Sequence, residues 1–254
     1  EGTAADQDIG GQPDDVEPGV LRGAPCGRVE DGPAGVWNYS GESRTSTTVN
    51  LEVCALAEQY FTPSPTSARQ PQAVRYRMRD GRELVFQTDA GVFSKGRVDR
   101  GTLELIKAIQ DEDGQSFLDL GCGWGPVGIV AALSQPRREV WMVDINERAC
   151  ELARANALAN GAGRAIVVCG DGLAAVRGRK FDVIATNPPI RAGKSVVYRL
   201  VEEARDHLNE GGRFYAVART KQGAGSLRVF ICEAFGNADE PEIGGGYRVI
   251  RATR

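Results

Sequence analysis

Between residues 73 and 254 the apolar positions follow two rhythms. The runs AVRYRM (73–78) and ELVFQT (83–88) are strand-like, and Asp80-Gly81 between them is a hairpin signal. From residue 116 a strand–helix alternation sets in. Its strand-like runs are SFLDL (116–120), EVWMVDI (139–145), AIVVCGD (165–171), FDVIATN (181–187) and GRFYAVART (212–220). Helical spacing separates them in VGIVAALS (127–134), ERACELARANALANG (147–161) and SVVYRLVEEARDHLNEGG (195–212), the last two closed by glycine. An amphipathic helix, TLELIKAIQ (102–110), leads in, and a further helix is expected at 227–235. Strands joined by helices of this length imply right-handed crossovers and a mostly parallel sheet. A final pair, ADEPEI and YRVIRATR, turns about Gly244-Gly245-Gly246 and predicts an antiparallel C-terminal strand. The expected fold class is α/β, a seven-stranded, mostly parallel sheet with helices on both faces and a small β-hairpin beside it.

The front of the chain reads differently. Residues 1–55 are rich in Gly, Pro, Asp and Ser with little apolar period, and predict an irregular acidic N-terminal extension. A short helix at 49–60 is interrupted by Pro63-Ser64-Pro65. Residues 56–254 then form one domain, with a lead-in and hairpin at 70–102 and a core at 103–254. Composition narrows the function. The 41% apolar content suffices for a core. The longest apolar run, 127–133, is far short of the ~20 residues of a membrane span, and no basic-plus-apolar signal segment opens the chain. A cytoplasmic location is expected, with an organellar one after transit-peptide removal left open. Six Cys without a CxxC pair and a single histidine, His207, give no metal site and argue against His-dependent nucleophilic catalysis. His207 reads as a surface residue near a helix end. The net charge of −3 conceals an asymmetry, because residues 1–50 hold three basic and nine acidic side chains. The remainder is mildly basic, which suits an RNA partner.

The chemistry concentrates at strand ends. Asp119-Leu-Gly121-Cys122-Gly123-Trp-Gly125-Pro126 follows one strand and opens a helix. Pro126 departs from a dinucleotide fingerprint, and no GK[ST] of a polyphosphate loop is present. A carboxylate two residues before the first glycine would repel a pyrophosphate and suits a cationic group such as the ammonium of a methionyl ligand. Asp144 ends the next strand, where a carboxylate grips ribose hydroxyls. Asp171 follows the third and is placed to accept from an adenine amine. A bare turn with capping aspartates remains the bland alternative for each motif alone.

Asn187-Pro188-Pro189-Ile190 follows FDVIAT directly. Two prolines make the turn stiff. The Asn side-chain oxygen and the Pro188 carbonyl are two acceptors that an amine can donate to, turning its lone pair outward. Catalysis of this kind is positioning plus electrostatics, with no covalent protein intermediate.

These motifs together resemble class I S-adenosylmethionine-dependent methyltransferases. The segment 91–102, LDLGCGWGPVGI, TNPPIRAGK and the late Lys221-Gln222-Gly223 are similar to the methyltransferase small domain family, the ribosomal RNA guanine-N2 methyltransferases of the small subunit, over 60–254. The resemblance implies a Rossmann-like core and S-adenosylmethionine as cofactor, held by Asp119, Gly121, Cys122 and Gly123, by Asp144 and Ile145, by Asp171 and Gly172, and by Asn187. It adds Phe93, Asp99 and Gly101 beside the cofactor, and Asn187, Pro188, Pro189 and Ile190 as the catalytic turn. Ile190 departs from the aromatic fourth position of amino-group methyltransferases, so base stacking falls to Phe93 or Tyr198. Arg191, Lys194, Arg97 and Lys95, with Arg75, Arg77, Arg79, Arg82 and Arg100, form an expected basic rim for ribosomal RNA or a ribosomal subunit. Adenine N6 or a protein glutamine as acceptor, and a non-catalytic cofactor-binding assembly factor, stay open as alternatives. Oligomeric state is not legible.

Overall fold

The structure, a computed structural model, describes residues 63–254 apart from residue 95. The 1–55 extension and the helix expected at 49–60 lie outside the described residues, as does Lys95. The first described residues run along the helix Glu147–Ala159, where Glu147 N donates to the Pro63 carbonyl and Arg148 reaches Ser67 Oγ and the Ala90 carbonyl.

The expected hairpin forms from β1 (Gln72–Arg77) and β2 (Glu83–Thr88), antiparallel and in register from Gln72↔Thr88 to Arg77↔Glu83. Along β2, Leu84, Phe86 and Thr88 turn inward and their neighbours outward, the period-two signature. The turn rests on Gly81 at φ +88°, with Asp80 accepting from Arg82 N.

Seven further strands form one sheet: β3 (Ser116–Leu120), β4 (Glu139–Asp144), β5 (Ile166–Cys169), β6 (Phe181–Thr186), β7 (Leu208–Arg219), β8 (Asp239–Gly244) and β9 (Tyr247–Thr253). Their order is β5-β4-β3-β6-β7-β9-β8, and β9 alone runs antiparallel to its neighbours. The helices are α1 (Arg100–Ile109), α2 (Pro126–Ser134), α3 (Glu147–Ala159), α4 (Lys194–Asp206) and α5 (Ala224–Phe235). Alternate strand residues feed two cores. Phe117, Met142, Val183, Tyr215 and Val249 face α1, α2, α3 and the hairpin. Leu118, Val143, Ile184, Phe214 and Ile250 face α4 and α5. Each such side chain contributes about 1.5–3 kcal/mol by leaving water. Both faces of the sheet are therefore covered, and its central strands read as near-continuous apolar runs.

Two chain directions depart from β3, towards β4 through α2 on one face and, from β6, towards β7 through α4 on the other. This switch point opens a crevice at the carboxyl ends of β3 and β6.

Element bounds shift by up to a few residues, and the largest departure from the sequence reading is between α4 and β7. The helix expected to run to residue 212 ends at Asp206, and β7 begins at Leu208. Phe181 pairs with Leu208 and Val183 with Arg213, so residues between them bulge. Gly211 sits there at φ +72°, and a Cβ on Gly212 would lie 2.8 Å from the Asn209 carbonyl oxygen. Polar residues in a bulge carry no strand rhythm, which is why they read as helix end. Short 3-10 turns at Gly172–Val176 and Ile190–Ala192 were not expected. At the last hairpin the turn is two residues, Gly245 and Gly246 at φ +57° and +82°, both left-handed as a type I′ turn requires.

Candidate functional site

A cavity of about 660 Å³ fills the crevice and reaches from the glycine-rich turn to the Asn187 turn. That volume is in the range of small-molecule sites.

The glycine-rich turn forms one wall. Gly121, Gly123 and Gly125 adopt φ of +74°, +56° and +91°, and a Cβ on Gly121 or Gly123 would meet nothing, so backbone conformation selects these glycines. Gly121 N and Cys122 N both donate to the Val143 carbonyl, at 2.8 and 2.9 Å. Gly123 N donates to Asp144 Oδ2 at 2.8 Å, and Asn146 N to Asp144 Oδ1 at 2.9 Å. Asp144 thus shapes the turn as well as lining the cavity, and burial pushes its carboxyl above the usual range. Asp119 lies deeper, at the cavity floor, only 2% exposed, with Oδ2 accepting from Gly128 N at 2.8 Å. Burial pushes its carboxyl up to about 7, against the stabilising Gly128 N–H and with the Asp144 charge adding to the rise. Two carboxyls raised by burial in one hollow favour a cationic ligand.

Asp171 lines the far wall, with Ile145 and Gly172. Its carboxylate is engaged by Arg199 of α4, at 3.2 and 3.5 Å. Cys122 also lines the cavity, where burial and the nearby Asp144 and Asp119 raise its thiol and disfavour the thiolate. His207 stands half-buried at the end of α4 with Nδ1 2.8 Å from the Glu203 carbonyl, outside the cavity lining.

The opposite wall is the turn after β6. Pro189 at φ −74°, ψ 74° makes an inverse γ-turn, and Ile190 N donates to the Pro188 carbonyl at 2.8 Å. One lone pair of that carbonyl, expected to be available, is therefore taken and the second remains. Asn187 lines the cavity, and its Nδ2 donates to Thr102 Oγ1 at 3.1 Å and Asp99 Oδ2 at 3.4 Å. The amide nitrogen is thus committed to the protein, leaving the oxygen as the end that receives a donor. Ile190, 38% exposed, and Phe93, 48% exposed, stand at the cavity edge. The Phe93 loop is anchored through its carbonyl, which accepts from Trp124 Nε1 at 3.0 Å.

Several expected residues are elsewhere. Tyr198 stacks on Phe230 at 3.7 Å between α4 and α5, outside the cavity lining, so it is spent on packing. Gly101 is also absent from the lining; a Cβ there would lie 2.8 Å from the Tyr247 ring, so its glycine makes room for that ring. Arg191 lines the cavity, whereas Lys194 and Arg97 are exposed beyond it. Arg79 and Arg82 leave the expected basic rim: Arg82 binds the Leu133 carbonyl at the far end of α2 and Asp80, and Arg79 pairs with Asp111. The hairpin packs along α3, and its turn reaches the last residues of α2 and the segment after α1, which carries those charges away from the cavity lining. Arg75 is paired with Glu83.

The structure also adds residues. Thr102, Arg219, Gln222 and Tyr247 line the acceptor side of the cavity. Arg219 follows from the strand-end rule carried on to β7. Tyr247 had no signal, because it begins an antiparallel strand and reaches this edge with its first residue. Among the described residues no three His, Cys, Asp or Glu side chains gather as metal ligands, and no helix is long and apolar enough to cross a membrane.

Comparison with known proteins places this geometry. The family model described as Methyltransferase small domain matches residues 83–251. Uncharacterized protein YbxB of Bacillus subtilis (strain 168) is 35% identical over 201 residues, covering 78% of this chain and 100% of its own. Ribosomal RNA large subunit methyltransferase G of Streptomyces avermitilis is 31% identical over 79% of this chain and 56% of its own. Among solved structures, the Thermus thermophilus 16S rRNA N2 G1207 methyltransferase in complex with AdoMet and guanosine aligns with a TM-score of 0.65 and 27% identity, over 75% of this chain and 52% of that one. The chain thus spans the full length of the Bacillus relative and about half that of the two rRNA enzymes.

Proposed function

The chain belongs to the methyltransferase small domain family, and from that premise we propose that it transfers a methyl group from S-adenosylmethionine to the exocyclic N2 amine of a guanine in ribosomal RNA, with the small subunit favoured. S-adenosylmethionine-dependent methyl transfer is the family's chemistry, and two of the relatives above are rRNA methyltransferases. The observation that carries the finer reading is one cavity with buried carboxyls on one wall and an oriented amide oxygen on the other.

The donor set fits the cofactor. When bound, S-adenosylmethionine supplies an electrophilic methyl on a positively charged sulfur. Asp119 and the backbone of Gly121 and Gly123 would hold its ammonium-bearing end, Asp144 its ribose, and Ile145 and Asp171 its base. Arg199 donates to both Asp171 oxygens and so fixes that side chain against the far wall. At the other wall the Asn187 oxygen and the second lone pair of the Pro188 carbonyl accept the two hydrogens of an amine. That arrangement directs the nitrogen lone pair into the cavity and disfavours its delocalisation into the base. Phe93 offers an aromatic face where the turn itself has Ile190, and base–aromatic stacking is worth ~1–3 kcal/mol. Arg191 and Arg219 line the mouth with Lys194 and Arg97 exposed beyond it, a set suited to phosphates and to a cytoplasmic ribosomal partner.

The test is tritium transfer from labelled S-adenosylmethionine to ribosomal subunits. Asn187→Ala is expected to lower the rate about 100-fold or more, the order found when a positioned hydrogen-bonding group is removed from an active site, while calorimetric binding of S-adenosylhomocysteine persists. Full activity in the variant would remove Asn187 from the chemistry.

A further inference from the structure

The Asn187 side chain is useful only in one of its two orientations, and its surroundings discriminate between them unequally. Thr102 Oγ1, at 3.1 Å, both donates and accepts, so it would tolerate either orientation of the amide. Asp99 Oδ2, at 3.4 Å, belongs to a carboxylate, which only accepts when ionised. Facing Asp99, the amide must present its NH₂ group, and its oxygen is turned the other way. We propose that Asp99 is a positioning residue that locks the Asn187 amide with its oxygen towards the acceptor amine. This rests on the reading of Asn187 given above.

Asp99 is itself held from three directions. Its Oδ2 caps α1 by accepting from Gly101 N at 2.8 Å and Thr102 N at 3.4 Å. Its Oδ1 accepts from the Tyr247 hydroxyl at 3.4 Å. Tyr247 in turn accepts from Arg219 Nε at 2.9 Å, with the guanidinium 5.2 Å from the ring centroid. A side chain at position 101 would collide with the Tyr247 ring, so the glycine there is what lets Tyr247 approach the carboxylate. The end of β6, the start of β9 and the first residues of α1 thus meet at the Asp99 carboxylate, with Arg219 from the end of β7 behind Tyr247. A helix cap alone would need none of the contacts from β6, β7 or β9.

The decisive test is a reciprocal exchange. The oxygen that faces Asn187 is also the one that caps α1, so the replacement must keep an accepting oxygen there and add a hydrogen to it. Asp99→Ser does so: it keeps a good helix cap, but its hydroxyl can donate as well as accept and no longer dictates how Asn187 turns. Its single-turnover methylation rate at saturating cofactor is expected to fall about ten-fold or more, with the loss in rate rather than in S-adenosylhomocysteine affinity. Asn187→Asp sets two carboxylates against each other and is expected to lose about 100-fold or more. Combining the two restores a donor facing an acceptor with the sense reversed, and the double variant is expected to run at least about ten-fold faster than Asn187→Asp alone, since contacting residues couple. Tyr247→Phe, which keeps the ring and removes the hydroxyl, provides a second variant with a smaller expected loss in the same rate. Full activity in Asp99→Ser while Asn187→Ala is inactive would overturn the proposal, as would a double variant no faster than Asn187→Asp. Full activity in Asn187→Ala would overturn the reading of Asn187 and this proposal with it.

Discussion

Asp119 combines near-complete burial with a place on the cavity floor. Burial lifts its carboxyl to about 7, so near neutral pH the free protein exchanges a proton there. A cationic ligand end beside it favours the ionised form and lowers that value on binding. The sign follows: below pH 7 the ligand must displace a proton, so affinity falls with pH. We expect S-adenosylhomocysteine to bind about ten-fold more weakly at pH 6 than at pH 8, with proton release visible as a buffer-dependent heat. Asp119→Asn should flatten the dependence; an unchanged slope in that variant would place the titration elsewhere. Residues of this kind were legible in the sequence because they stand beside strand ends and glycines. The Arg199 partner of Asp171, the Tyr247 partner of Asp99 and the γ-turn bond to the Pro188 carbonyl were not. The first two are contacts between distant chain segments, which no local pattern encodes, and the third is local but turns on the backbone angles of Pro189, which the residue types leave open.

Among the elements, the outer edge of β2 shows how the hairpin is joined to the main domain. Asn160 exchanges both hydrogen bonds with the Val85 backbone, at 2.9 Å each, and Asn156 does so with Gln87 at 2.7 and 2.9 Å. Four residues along a helix rise about 6 Å and two along a strand about 6.6 Å, so two asparagines one turn apart match alternate strand residues. They stand in for a third strand on an edge that no strand among the described residues pairs. Asn156 also donates to the Trp124 carbonyl at 2.9 Å and is fully buried, whereas the Asn160 contacts to Val85 are exposed. Asn156→Ala is therefore expected to cost about 2–3 kcal/mol and Asn160→Ala under about 1 kcal/mol, read as lower urea midpoints with unchanged slope. Equal costs would contradict this division. The strands themselves were legible from alternation in β2 and from near-continuous apolar runs in the centre of the sheet. The α4–β7 boundary was not, because the bulge at Gly211 and Gly212 serves register and carries no apolar rhythm.

Across the whole molecule, the order of strands does what no single motif does. It brings the ends of β3, β4, β5, β6 and β7 to one edge, where carboxyls from the first three face an amide from the fourth and an arginine from the fifth. Charge divides along the same line. Mild basicity of residues 51–254 was legible from counts, but its geography was not: Arg79 and Arg82 are spent on ion pairs at the far edge, while Arg191 and Arg219 line the cavity. Arg191→Ala and Arg219→Ala should therefore weaken binding to ribosomal subunits and reduce its salt dependence, with Arg82→Ala as an unchanged control in a filter-binding titration.

The central claim, an amine of guanine presented to the methyl donor across this cavity, is tested most directly by nucleoside analysis. Ribosomal subunits would be incubated with the protein and methyl-labelled S-adenosylmethionine, digested to nucleosides and separated by mass. The label is expected in N2-methylguanosine, at a stoichiometry approaching one per subunit. Label in N6-methyladenosine, in protein alone, or nowhere despite measurable cofactor binding would contradict it.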